Sequence, residues 1–71
     1  MKKVTLLIPV YNEEAMLPTL YQRLIELINR NGTYAWEILF INDGSSDRTL
    51  DVIRQLRQTD SRVNFVNLSR N

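Results

Sequence analysis

The chain has 71 residues, room for one small domain at most, and a core of that size is marginal unless something staples it. It contains no cysteine and no histidine, which excludes disulfides, metal sites built on those ligands, and nucleophile pairs that rely on a histidine base. Nine basic residues nearly cancel eight acidic ones and are interspersed with them, so no nucleic-acid partner is expected, and any acid–base chemistry falls to the carboxylates.

The first element is Val4-Thr5-Leu6-Leu7-Ile8, a nearly continuous apolar run that Pro9 is expected to stop. Such a run reads as a strand buried on both faces, the parallel-sheet type. The segment Val4 to Val10 is far shorter than the roughly 20 residues of a membrane span, and it lacks the small-residue cleavage site of a signal peptide. A soluble, cytoplasmic-facing segment is expected, with a membrane anchor elsewhere in a longer parent left open.

A helix follows and runs to about Arg30, with Leu17, Leu20, Leu24, Leu27 and Ile28 forming one apolar stripe. Pro18 belongs in its first turn, and Asn31-Gly32 is a stop signal. Trp36 to Ile41 is the second strand. It leads into Asn42-Asp43-Gly44-Ser45-Ser46-Asp47, where Ser46 or Asp47 can cap a second helix with Leu50, Ile53 and Leu56 on its inner side. Val63 to Leu68 is the third strand, and Ser69-Arg70-Asn71 follow it. The pairs Lys2-Lys3, Arg54/Arg57 and Glu26/Arg30 read as solvated faces.

The order β-α-β-α-β predicts an α/β fold, a three-stranded parallel sheet in the order 3-2-1, half of a Rossmann-like nucleotide-binding domain. Two right-handed crossovers stepping the same way put both helices on one face of the sheet. The other face and the edge of strand 1 then stay bare. The expectation is a truncated domain over residues 1–71, with self-association through that face and edge.

Polar groups gather beyond the carboxyl ends of the strands, where open parallel sheets bind ligands. These are Tyr11, Asn12 and Glu13, then Asp43, Gly44 and Ser45, then Ser69, Arg70 and Asn71. Asp43 suits the imide N–H of uracil or the amide N–H of guanine, and Glu13 suits ribose hydroxyls. The Tyr11 ring can lie against a base, Gly44 lets backbone approach closely, and Arg70 suits a phosphate. Each has a structural reading beside the functional one. Asn12 or Glu13 can simply start the first helix, and Asp43 to Asp47 can be a turn with an N-cap. Tyr11 can be loop packing, and Arg70 a disordered tail. Trp36 and Phe40 read as core or edge residues. The loop after strand 1 has no glycine, so there is neither a G-x-G-x-x-G fingerprint nor a phosphate loop. The acidic pair of a receiver domain is missing from the same place.

Four motifs in order resemble the family-2 glycosyltransferases: Leu7-Ile8-Pro9-Val10-Tyr11-Asn12-Glu13-Glu14, Leu17-Pro18, Ile41-Asn42-Asp43-Gly44-Ser45-Ser46-Asp47-Arg48-Thr49, and Leu68-Ser69-Arg70-Asn71. They look most like the polyprenyl-phosphate branch, which includes dolichol-phosphate mannose synthases. The resemblance implies a GT-A fold and an inverting transfer of sugar from a UDP- or GDP-sugar, with Mg or Mn, in cell-wall or lipid-linked glycan biosynthesis. Pro9, Tyr11 and Glu13 would line the base and ribose pocket, with Gly44 and Ser45 beside them. Asp43 would hydrogen-bond the base, and Ser69-Arg70-Asn71 would begin the loop leading toward the diphosphate. Asn42 departs from the aspartate many relatives carry there. No Asp-x-Asp metal motif occurs in the sequence, so no catalysis by this chain alone and no metal bound by it alone are expected. The alternative is a non-catalytic nucleotide-binding or protein-interaction module.

Overall fold

The computed structural model describes residues 2–68. The apolar runs form three strands, β1 (Lys3–Val10), β2 (Ala35–Asp43) and β3 (Val63–Leu68), and the periodic segments form two helices, α1 (Leu17–Arg30) and α2 (Thr49–Thr59). All strand pairs are parallel and the order is β1-β2-β3. The expected half of a doubly wound sheet is thus present.

Pro9 does not end the first strand, which continues to Val10 in register with Asn42. Among the described residues β1 pairs with β2 alone, and an edge strand tolerates a residue that has no N–H to donate. Alternation along the strands separates two faces. Val10, Ile38, Phe40 and Val63 turn to the helices and are buried with Leu17, Leu24, Ile28 and Ile53. Full burial of each such side chain is worth about 1.5–3 kcal/mol. Pro18 sits in the first turn of α1 as expected. Leu27 lies at the margin of the apolar stripe and stays exposed, while Tyr21 and Ile25 pack on the core in its place. In α2 the inner positions are Thr49, Val52, Ile53 and Leu56, and Leu50 is only half-buried.

The opposite face carries Leu7, Leu39, Ile41, Val66 and Leu68. No element among the described residues covers it, and Leu7 is 63% exposed. So β1 is not buried on both faces here. The amino end of this face is polar instead. The Glu37 carboxylate accepts from Asn64 Nδ2 at 2.8 Å and Thr5 Oγ1 at 3.2 Å, with Lys3 Nζ at 3.6 Å. Those hydrogen bonds, the one from Asn64 foremost, hold Glu37 below the usual carboxylate range.

A second polar cluster ties the helices together below the core. The Asp60 carboxylate accepts from Tyr21 Oη at 2.6 Å, and from Arg62 Nε and Nη2 at 2.9 Å each. It also takes the Arg62 main-chain N–H at 3.0 Å. The Arg62 guanidinium therefore holds Asp60 well below its usual range, while burial and then the Asp60 contact push the Tyr21 phenol up. Trp36 closes the same end, donating its indole N–H to Asn31 O at 2.8 Å and meeting Tyr34 edge to face.

Candidate functional site

The loops that leave β1 and β2 are joined by side chains. Three consecutive N–H groups of the first loop are given to the second: Asn12 to Ser45 Oγ at 2.9 Å, Glu13 to Thr49 Oγ1 at 2.8 Å, and Glu14 to Asp47 Oδ2 at 3.3 Å. In return, Asn12 Oδ1 accepts the Ser46 N–H at 2.7 Å and the Asp47 N–H at 3.4 Å. To face both ways Asn12 takes a left-handed backbone, φ 49°. Asparagine is one of the few residues other than glycine that adopts this readily. Gly44, at φ 70°, makes the matching reversal after β2.

The caps follow from the same network. The Asp47 carboxylate accepts the Thr49 N–H at 2.9 Å and a short bond from the Thr49 hydroxyl and so braces the start of α2, but the N-cap position itself is Arg48, which makes no side-chain cap bond, and not the expected Ser46 or Asp47. Its bonds from Thr49 keep Asp47 below the ordinary carboxylate range. Ser46 does not share that role. Glu13 starts the turn into α1 with its carbonyl, which accepts from the Met16 and Leu17 N–H groups at 3.0 Å. Its side chain is not used as a cap.

These bonds decide what the rim can offer. The N–H groups of Asn12, Glu13, Glu14, Ser45, Ser46, Asp47 and Thr49 are all given to side chains of the two loops, the end of β2 or the start of α2. They form no anion cradle of the kind a phosphate loop presents. Outside this network, Tyr11 is 55% exposed, and among the described residues neither its phenol nor the Glu13 carboxylate has a hydrogen-bond or ion-pair partner. Asp43 is half-buried at the end of β2. Register and alternation place Pro9 and Asp43 on the uncovered side of the sheet, with Ile41, Val66 and Leu68.

Pro9, Tyr11, Glu13, Asp43, Gly44 and Ser45 thus share one rim, although Ser45 is turned inward, its hydroxyl donating to Asn42 Oδ1 at 2.5 Å. Arg70, with Ser69 and Asn71, lies outside the described residues. The sequence reading left out Asn12 as a clamp, Thr49 as a bridge, and Asn67, whose Oδ1 accepts from Asn42 Nδ2 at 2.9 Å. A lone asparagine in a glycine-free loop was the available signal for the first. Two concavities of about 460 and 400 Å³ lie away from this rim, one at the amino ends of the strands and one beside Phe65 between Arg54 and Arg57. No cluster of acidic residues among the described ones could hold a metal ion. No described helix is long and apolar enough to cross a membrane.

The family model for glycosyl transferase family 2 matches residues 5–71. The chain belongs to that family. This family-2 chain is 40% identical over 67 residues to an uncharacterized glycosyltransferase of Bacillus subtilis (strain 168), covering 94% of the chain and 20% of the relative. It is 42% identical over 71 residues to the undecaprenyl-phosphate 4-deoxy-4-formamido-L-arabinose transferase of Salmonella paratyphi B, covering 99% of the chain and 21% of the relative. The Salmonella newport enzyme of the same name gives the same figures. The chain therefore spans about a fifth of the length of these relatives.

Proposed function

We propose that residues 1–71 form the base-and-ribose half of the donor site of an inverting glycosyltransferase. The parent enzyme in this reading moves a sugar from a UDP- or GDP-sugar to a polyprenyl phosphate at the cytoplasmic face of a membrane. The observation that carries the proposal is the division of labour at the rim. The loop N–H groups are used internally, while an aromatic ring and two carboxylates stand beside the strand ends. Such a rim takes a ligand that donates hydrogen bonds, which fits a base edge and ribose hydroxyls better than a phosphate. Asp43 accepts from the base, Glu13 from the ribose, and Tyr11 and Pro9 provide flat apolar contact. Gly44 gives the chain room to pass, and Ser45 sets the loop. Arg70 belongs to the diphosphate side. The polyprenyl-phosphate acceptor is proposed from the Salmonella relative, whose name states undecaprenyl phosphate.

A Mg or Mn ion at the diphosphate completes the reading. The described residues offer no ligand set for it. A second contact is favoured by the exposed Leu7, Val66 and Leu68. The uncovered sheet face and the edge of β1 serve as an association surface, between copies or with a partner.

The test is a titration with UDP and with GDP, with Mg present, followed by amide NMR. Shifts are expected at Tyr11–Glu13 and Asp43–Ser46. D43A is expected to weaken binding at least tenfold, about 1.4 kcal/mol. Unchanged affinity in D43A, or shifts confined to other regions, would remove Asp43 from the site.

A further inference from the structure

The ends of the three strands are connected by one line of polar side chains. The Asn12 N–H donates to Ser45 Oγ at 2.9 Å, and the Ser45 hydroxyl donates to Asn42 Oδ1 at 2.5 Å. The Ser45 N–H faces the same oxygen at 3.4 Å. On its other side, Asn42 Nδ2 donates to Asn67 Oδ1 at 2.9 Å. The orientation of the Asn42 carboxamide follows from these partners. A main-chain N–H can only donate, so the oxygen must face Ser45 and the amino group must face Asn67. Asn42 is only 2% exposed, on the helix side of β2, immediately before Asp43.

We propose that Asn42 is the positioning residue of this rim, a neutral relay that holds Asp43 and the following turn in fixed relation to the ends of β1 and β3, with Asn67 as its second anchor. The inference rests on the reading of Asp43 as the base-binding carboxylate. With Asn67 presenting its oxygen, as it does here, the acceptor and donor ends of the Asn42 carboxamide satisfy Ser45 and Asn67 together. A hydrocarbon would leave the Ser45 hydroxyl and N–H without their acceptor in a buried place. An aspartate at 42 keeps the acceptor for Ser45 but presents a second oxygen to Asn67. Asn67 is exposed, so it can rotate its carboxamide and donate instead. An aspartate at 67 still accepts from Asn42. Only both changes together set two carboxylates against each other.

The singles and the double variant therefore behave non-additively. N42D and N67D each keep UDP affinity within about twofold of the parent. N42D/N67D loses about tenfold or more against the parent at the same pH, and that gap closes at a pH low enough to protonate one of the two new carboxyls, the Asp43 and Glu13 carboxylates being common to both proteins. Additive behaviour, or a loss that does not change with pH, would overturn the relay. If the double variant does not fold, N67A decides the matter without nucleotide. Asn67 is exposed, so the fold survives, yet amide resonances at Ser45 and Asn12, two and three links away, are expected to shift. Changes confined to residues 66–68 and Asn42 would refute the coupling. Failure of the parent protein to bind UDP or GDP would sink the base-site reading alone, because the N67A spectra test the relay separately.

Discussion

Replacement of Asn12 separates two reasons for its presence. Asn12 Oδ1 takes the Ser46 N–H at 2.7 Å, and the residue sits at φ 49°. N12A removes the acceptor, worth about 1 kcal/mol for one good bond. It also places a Cβ without a compensating polar group in the left-handed region, about 1–2 kcal/mol more. The sum is roughly 2.5 kcal/mol. N12G removes the same acceptor and relieves the backbone, but it frees the unfolded chain, about 0.5–1 kcal/mol. Its cost is roughly 1.5 kcal/mol. N12D keeps an oxygen acceptor and should lie closest to the parent. The chain has a single tryptophan, Trp36, half-buried at the far end of the sheet. Urea denaturation followed by its fluorescence reports the midpoints, with an unchanged slope as the sign that stability alone has moved. The expected order is Asp, then Gly, then Ala. A midpoint for N12A equal to or above that of N12G would mean that residue 12 is not held in the left-handed region, and the account of the loop clamp would fall.

Two further outcomes are expected. Asp60 is held below the usual carboxylate range chiefly by Arg62, so its contribution is present above the unfolded value of about 3.9 and is lost as pH falls below it. D60N should therefore cost about 1–2 kcal/mol near neutrality, since Arg62 is partly open to solvent, and its stability should converge on that of the parent between about pH 5 and 2. Parallel pH–stability curves would show that the cluster is not the source. On the uncovered face, L7E alters a residue already 63% exposed, so the fold should keep its stability while concentration-dependent association falls in sedimentation runs. Unaltered association would place the contact elsewhere.

The course of the chain was legible because its signals are local. Val4 to Ile8, Trp36 to Ile41 and Val63 to Leu68 carry β-branched and aromatic runs, and the stripes of α1 and α2 repeat at helical spacing. Parallel order then followed from the crossovers. A polar turn before α2 was also legible, since the Asp47 bond to Thr49 spans two residues, although the N-cap position fell on Arg48. What sequence reading misplaced depends on the sheet as a whole. Pro9 reads as a stop until β1 is known to lie at an edge. Leu27 reads as core until its angle to α2 and the sheet is set. The bonds of Asn12 cross 33 to 35 residues, and the Asn42–Asn67 bond crosses 25. No local pattern marks them.

The dipeptide Asn42-Asp43 shows why the site has its present form. Strand alternation must send one of two consecutive residues into the helix-covered layer and the other to the open side. The inward position is 2% exposed, where an unpaired charge is costly, and it holds the neutral carboxamide. The outward position holds the carboxylate, on the same uncovered side as Pro9, which pairs with Ile41 two residues earlier in β2. Val10 and Pro9 divide in the same way, Val10 inward at 2% exposure and Pro9 outward. Each of these two strand ends therefore gives one residue to the core and one to the rim. The inward residues and the loop amides hold the geometry, and the outward side chains bring acceptor and apolar groups to the rim. A base and its ribose present donors to such a surface, whereas a phosphate presents only acceptors and charge. In the proposed donor-site reading, the diphosphate would then be held by groups other than these two loops.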